Sequence, residues 1–283
     1  AVVESLLQYG DKVTVLDNLM YGGAYMRRHD NLQFIRGDIT DYELLDTLIM
    51  SHDAVVHLAA IVGDGACQAN PEDTIKINQK ATQDIARLCT LYGRRLVFAS
   101  TCSVYGASNE LLTEKSPTNP LSLYAGTKLK AEQYVREVPE HYIFRLGTLF
   151  GISSEHARLR CDLVANILTY KAMTGQKLTV FGGEQWRPLL YVKDAGAVMA
   201  LAATRRVVDN AGPFGIYILS RVNSTIIELA NTILDVCDLP RDTLEVTEMP
   251  YEDQRNYKVS SMCKGRFWTT IHSLPVGIHE MAL

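Results

Sequence analysis

The sequence predicts an α/β protein: a doubly wound, Rossmann-like parallel sheet carrying a smaller C-terminal α/β domain. Short apolar runs rich in β-branched residues recur along the first half of the chain, and amphipathic helical stretches separate them at crossover spacing. Bulk properties agree. The chain has 283 residues, enough for one large domain with a smaller companion. With 47% hydrophobic and 21% charged residues, it has the makings of a sizeable core. A net charge of −4 gives no electrostatic reason to expect nucleic acid or an anionic membrane as a partner. No apolar run approaches bilayer length, and no signal-peptide pattern is present. Six cysteines, at 67, 89, 102, 161, 237 and 263, include no CxxC pair. That spacing suits neither a disulfide framework nor a metal site, so a soluble protein of the reducing cytoplasm is expected.

The opening segment places Val2, Val3, Leu6 and Leu7 on one helical stripe, with Gly10 as a stop. A chain rarely starts on a buried helix, so a strand and its turn are expected upstream of Ala1. Val13–Asp17 then reads as a buried parallel strand ending in a carboxylate. Further strands are predicted at Gln33–Ile35, Ala54–Leu58, Leu96–Ala99 and Ile143–Leu146. Helices are predicted at Tyr42–Met50, Thr74–Tyr92 and Ala125–Val138. Beyond residue 150 the rhythm changes. One long helix is expected over Leu159–Thr174, then strands at Leu178–Phe181 and Leu189–Val192, and helices from Asp194, over Ile226–Val236 and over Gly277–Ala282. We place the first domain at 1–150 and the second at 151–283, with 189–205 returning to the first.

Of fourteen tyrosines, only Tyr124 has a lysine four residues on, Lys128. Helical spacing puts the two on one face. A phenol titrates near about 10, too high for a base at neutral pH, and a nearby ammonium favours the phenolate. An isolated match of this kind is more often an exposed helix with a solvated lysine. Here a second feature precedes it. The apolar strand Leu96–Ala99 runs into Ser100-Thr101-Cys102-Ser103-Val104-Tyr105-Gly106, setting hydroxyls at a strand's carboxyl end, where ligands gather in doubly wound sheets. A hydroxyl there can hold a substrate oxygen at the tyrosine. The alternative, a loop capping its own backbone, suits Ser100 and Ser103 best.

Together Thr101, Tyr124 and Lys128 resemble the catalytic triad of the short-chain dehydrogenase/reductases. The Val-Tyr-Gly that follows resembles the extended branch, which acts on nucleotide-sugars. The resemblance covers most of the chain and implies catalytic roles for those three residues. It implies a cofactor surface built from Asp17, Asn18, Asp38, Ile39, Leu58, Ala59, Ala60, Asn78 and Ser100, with Tyr124 and Lys128 bordering it. Asp17 would hold the adenosine ribose hydroxyls and repel a 2′-phosphate, so NAD is expected rather than NADP. His57 either lines that cofactor or is a hydrogen-bonded core histidine. The family's Gly-rich phosphate turn is not within this sequence. For the substrate, a nucleotide-diphosphate sugar, the resemblance points to Thr101, Cys102, Ser103, Tyr105, Asn166, Arg187 and Arg255, with Thr148 at the edge. Arginine suits phosphate oxygens, although Arg187 can equally pair with Glu184 or Asp194. The family also implies a homodimer pairing the 74–92 and 125–138 helices.

A 4,6-dehydratase of this family commonly carries an Asp-Glu pair directly after the catalytic threonine, where this chain has Cys102 and Ser103. The glutamate common in nucleotide-glucuronate decarboxylases is also missing from that stretch. Oxidation at C4, rotation and reduction from the other face, a 4-epimerase, is the simplest chemistry left. A 4-ketosugar reductase stays open, as does a 3,5-epimerase/reductase using Cys102 or His156 as an extra base. From another class, so does a non-catalytic NAD-binding sensor or scaffold.

Overall fold

The computed structural model describes residues 1–22, 28–153, 160–204, 214–248, 256–260 and 272–283. Helix α1 (Val2–Gln8) leads into β1 (Val13–Asp17), which pairs in parallel with β2 (Leu32–Arg36). Helix α2 (Tyr42–Met50) follows, capped by Asp41, whose side chain accepts from the Leu44 amide. Next come β3 (Ala54–His57), the short helices α3 (Asp64–Ala69) and α4 (Pro71–Ile75), and α5 (Thr82–Tyr92), which ends on left-handed Gly93. Then β4 (Arg95–Thr101), β5 (Leu111–Leu112), α6 (Leu123–Val135), β6 (His141–Leu146) and β7 (Thr148–Phe150) carry the chain to its midpoint. The later elements are α7 (Val164–Met173), β8 (Leu178–Phe181), β9 (Trp186–Tyr191), α8 (Val192–Ala203), β10 (Gly215–Leu219), β11 (Val222–Thr225), α9 (Ile226–Val236), β12 (Leu244–Thr247), β13 (Lys258–Val259) and α10 (Leu274–Ala282).

Strands β3, β4, β6 and β10 form a four-stranded parallel sheet in the order β10-β6-β4-β3. Its two faces are covered by different helices, as an all-parallel sheet requires. Leu96, Phe98 and Ile143 pack beneath α2, α5 and α6 through Leu45, Ile49, Ile85, Leu88 and Ala131. Val97, Tyr142 and Phe144 point the other way, onto Ala195, Val198, Met199 and Ala202 of α8. The alternation along β4 is the two-residue period of a strand buried on both sides. This is the Rossmann-like architecture the alternating pattern predicts. Helix α8 packs against α1, β3 and β4. A separate core lies among α7, α9, α10, β8 and β9, around Phe150, Leu168, Leu178, Leu189, Leu229 and Ile233. Among the described residues, no helix is long and apolar enough to cross a membrane.

Several elements differ from expectation. Helix α7 begins at Val164, not Leu159, because residues 161–163 form a turn beside the Arg160–Asp162 ion pair. Residues 154–159, and with them His156, lie outside the described residues. The expected single helix over Thr74–Tyr92 is helical throughout, but Lys76–Ala81 is wound as a π-helix around Asn78. No residue of α1 is fully buried, so its apolar stripe is only half covered. Strand β9 starts before Pro188, which sits opposite Asn223; β7 pairs only with Leu189–Tyr191, so the missing proline N–H breaks no ladder there.

The chain leaves β7 through Gly151 at φ +102, where an added Cβ would lie 2.4 Å from Tyr191. Gly151→Ala therefore combines a left-handed backbone with a clash against a fully buried ring. It should lower stability by about 2 kcal/mol or more, read as a shift of the urea midpoint.

Candidate active site

The carboxyl ends of β3, β4 and β6 lie along one edge of the parallel sheet, and helix α6 packs against β4 and β6. Ser122 caps α6 by accepting from the Ala125 amide, which fixes the first turn and so places Tyr124. Thr101 ends β4, is buried, and its hydroxyl acts on the Tyr124 phenol, favouring the phenolate. Its Oγ also accepts from the Ser103 amide at 3.1 Å. Lys128, one turn on from Tyr124, is buried with Nζ 4.4 Å from the centre of the Phe98 ring. The end of β4 and the first turns of α6 are thereby brought together.

Electrostatics within this cluster differ from the simple expectation of an ammonium pulling a phenol down. Burial pushes Tyr124 up to about 12, with Cys67 adding to the rise and the Thr101 hydrogen bond opposing it. Burial drives Lys128 down to about 7, against the pull of Glu132 and Cys67. Lys128 therefore gives up its proton well before the phenol does. The reason is that both groups sit where solvent is excluded, which penalises each charged form. The hydroxyl that favours the phenolate is Thr101.

Around the cluster lie groups that no motif marked. Cys67 on α3 is fully buried, its Sγ donating to the Ile61 carbonyl at 3.4 Å, and burial pushes its thiol up. Asp64, at the start of α3, and Arg160 both act electrostatically on Tyr124. Arg160 is itself held by a bidentate contact to Asp162, 2.7 Å in each arm. Neither Cys67 nor Asp64 has a periodic or family signature in the sequence, so only the fold shows them.

On the cofactor side, Asp17 is exposed at the end of β1 and accepts from the Leu19 amide at 2.7 Å. Asn18 donates to Asp38 at 2.8 Å and accepts from the Met20 amide, so its side chain joins two turns. Asp38 also accepts from Thr40; burial raises its carboxyl, but the Asn18 and Thr40 hydrogen bonds and Lys76 together hold it below its usual range. Ile39 is half-buried beside it, while Leu58 and Ala59 are exposed and Ala60 half-buried just past β3. An exposed carboxylate suits a ribose and exposed apolar side chains suit a flat ring system, so this donor set fits a dinucleotide.

Four expected contacts are corrected by burial. Ser100 donates its hydroxyl to Glu132 and lies in the core, not on a cofactor surface. Asn78 is buried, accepting from the Ile61 amide and donating to the Ile61 carbonyl, both at 2.8 Å, so it locks the loop after β3. Cys102 is fully buried with its thiol donating to the Arg145 carbonyl, and burial pushes it far above its ordinary range. Tyr105 is buried and its hydroxyl accepts from Arg145 at 2.8 Å. The side-chain polar atoms of these four are engaged within the core. Ser103 is half-buried and Thr148 likewise. Asn166 is buried, with Oδ1 accepting from the Gly151 amide at 3.0 Å. Arg187 is buried on β9, not on the surface, and donates to the Trp186 carbonyl at 2.8 Å. Asp194 receives the His272 ring and amide. Arg255 lies outside the described residues.

Fold and site together define a Rossmann-type protein with a Thr–Tyr–Lys cluster at its strand ends. The chain belongs to the NAD dependent epimerase/dehydratase family, whose profile matches residues 1–216. It is 31% identical over 260 residues to a dTDP-glucose 4,6-dehydratase of Mycobacterium tuberculosis, spanning 87% of this chain and 76% of the relative. It is 34% identical over 143 residues to a UDP-glucose 4-epimerase of Halalkalibacterium halodurans, spanning 48% and 42%. In fold it is similar to the UDP-glucose 4-epimerase of Thermotoga maritima, with TM-score 0.84, 21% identity, and coverage of 99% of this chain and 93% of that one. The extended short-chain dehydrogenase/reductase resemblance is thereby confirmed, and the relatives are enzymes that act on nucleotide-sugars.

His57 proves to be a core residue: its Nε2 meets the Thr82 hydroxyl at 2.9 Å, and burial, with Lys128 nearby, holds it down at about 3. Unfolded, it would protonate near its ordinary 6.5. The unfolded chain therefore binds the extra proton between those values, and stability falls as pH drops through that window. Urea midpoints at about pH 7 and about pH 5 should differ less in His57→Gln than in the parent chain.

Proposed function

We propose that this chain binds NAD and epimerises a nucleotide-sugar at C4 through a transient 4-keto sugar, with Tyr124, Thr101 and Lys128 as its catalytic residues. In this reading Asp17 holds the adenosine ribose, Leu58, Ala59 and Ala60 line the cofactor, and Asn18, Asp38 and Asn78 set the turns around it. NAD, when bound, supplies the acceptor and donor of a hydride. Thr101 holds the C4 oxygen at the phenol. Tyr124 takes the hydroxyl proton as the ketone forms and returns one as the alcohol re-forms. Lys128, in its protonated form, stabilises the phenolate. Asn166 and Arg187 hold the nucleotide diphosphate, Arg187 by paired contacts to phosphate oxygens.

The observation that carries epimerisation over dehydration is the state of the two positions after Thr101. Cys102 is sealed in the core with a thiol that does not ionise near neutral pH, and Ser103 is not an acid. The same burial removes Cys102 as the extra base of a 3,5-epimerase. A second reading, dehydration, is supported by the Asp64 carboxylate, which acts electrostatically on Tyr124, and by the 31% identity to a dehydratase. The buried free thiols of Cys67, Cys89 and Cys102 fit a reducing cytoplasm. Pairing through α5 and α6 as a homodimer belongs to the same reading.

Tyr124→Phe tests the mechanism. Incubated with NAD and UDP-glucose or dTDP-glucose, the variant should lose turnover by about a hundredfold or more while NAD binding stays as in the parent. Turnover that survives the change would refute the role given to Tyr124. A chain that never turns over any nucleotide-sugar, yet keeps NAD and a protein partner, would favour a sensor.

A further inference from the structure

Helix α6 carries Tyr124, Lys128 and Glu132 at four-residue intervals, so all three share one face. Glu132 is 0% exposed and Arg145, opposite it on β6, 2%. Arg145 grips the carboxylate with two arms, Nε at 3.0 Å and Nη2 at 2.7 Å. The pair reaches further. Ser100 donates to Glu132 at 2.5 Å, and the Cys102 thiol donates to the Arg145 carbonyl at 3.2 Å. The remaining arm of Arg145 donates to Tyr105, whose ring lies under the guanidinium at 4.8 Å. Ser100 and Cys102 flank Thr101, so one neighbour of that hydroxyl is tied to the ion pair and the other to the backbone carbonyl of Arg145.

Such a pair is a poor device for stability alone. Desolvating two charges cancels most of what their attraction returns, and apolar side chains of similar volume fill such a space as well or better. What the pair does supply is geometry and field. It joins the strand end bearing Thr101 to the helix bearing Tyr124. It also sets a carboxylate one turn beyond Lys128. The other groups facing Lys128 are His57 on β3, Cys67 on α3 and the Phe98 ring on β4. His57 is neutral at physiological pH and the Cys67 thiol is pushed up by burial, which leaves Glu132 as the anion among them.

We infer that Glu132, held by Arg145, is a positioning residue for the reaction, fixing Thr101 against Tyr124 and keeping Lys128 in its charged form. This rests on the catalytic reading of Tyr124, Lys128 and Thr101. The two are tested separately, because the charge on Lys128 can be followed without turnover.

The experiment is an NMR pH titration of the chain carrying 13C-labelled lysine, with the Lys128 signal assigned by its loss in Lys128→Arg. In the parent the signal should titrate at about 7. In Glu132→Gln, nearly the same shape without the charge, the midpoint should fall by about one unit or more. Should that variant fail to fold because Arg145 is left unpaired, Glu132→Gln/Arg145→Met removes both charges, and the midpoint should again fall. An unmoved Lys128 midpoint in a folded variant would overturn the inference, since a purely structural pair leaves that titration alone. The geometric half is read with Ser100→Ala, which cuts the tie to Thr101 and spares the ion pair. A fall in kcat of about tenfold with KM held is expected, and an unchanged kcat would overturn it.

Discussion

Helix α6 lies against β4 and β6 with charged and catalytic-type residues on its buried face, and the grip of Arg145 on Glu132 holds that face in register with the sheet. Most helices on a parallel sheet present only apolar residues to it. This one buries Lys128 and Glu132 as well as Ala125, Ala131 and Val135. Its sequence therefore has almost no amphipathic contrast; it is held by specific polar contacts as much as by apolar area. The consequence reaches the strand end, where Ser100 turns inward to the pair and Cys102 to the Arg145 backbone, leaving Thr101 to the phenol. A constraint of this kind sets distances that apolar packing alone leaves loose.

Solvent exclusion is the second theme. His57, Lys128 and Tyr124 all have their charged forms penalised by burial, and Lys128 acts electrostatically on His57. Two cations cannot both persist there, so His57 remains neutral and hydrogen-bonded to Thr82 while Lys128 titrates at about 7. The loop after β3 is fastened by Asn78, whose carboxamide bonds both the amide and the carbonyl of Ile61. The π-helical turn from Lys76 to Ala81 is the local feature that carries Asn78. Such turns commonly mark places where a helix has been reshaped around a site.

Much of this was legible in the sequence, for reasons that can be named. Helices α2 and α9 match their predicted bounds because each has an acidic or hydroxyl cap and a clear apolar stripe. The convergence of Thr101, Tyr124 and Lys128 was legible because it follows from one strand end and one helical spacing. What stayed hidden depends on direction. Cys102 and Tyr105 stand in the same hydroxyl-rich stretch as Thr101, and only the three-dimensional path shows that they turn into the core. Ser100 and Asn78 were assigned to the cofactor because a polar side chain near a strand end is ordinarily there for a ligand; here each satisfies buried protein groups. The π-helical turn has no sequence signature, and the neighbourhood of Asp64, Cys67 and Arg160 depends on long-range folding. Membership of the family leaves the reaction open, since its relatives include both a dehydratase and an epimerase.

The most direct measurement is the mass and the C4 configuration of the product formed when the protein is incubated with NAD and a panel that includes UDP-glucose and dTDP-glucose. The account requires a product of unchanged mass with C4 inverted, because neither Cys102 nor Ser103, which follow Thr101, supplies the acid or base of an elimination. A product lighter by one water would contradict it, and would move the acid–base role to Asp64.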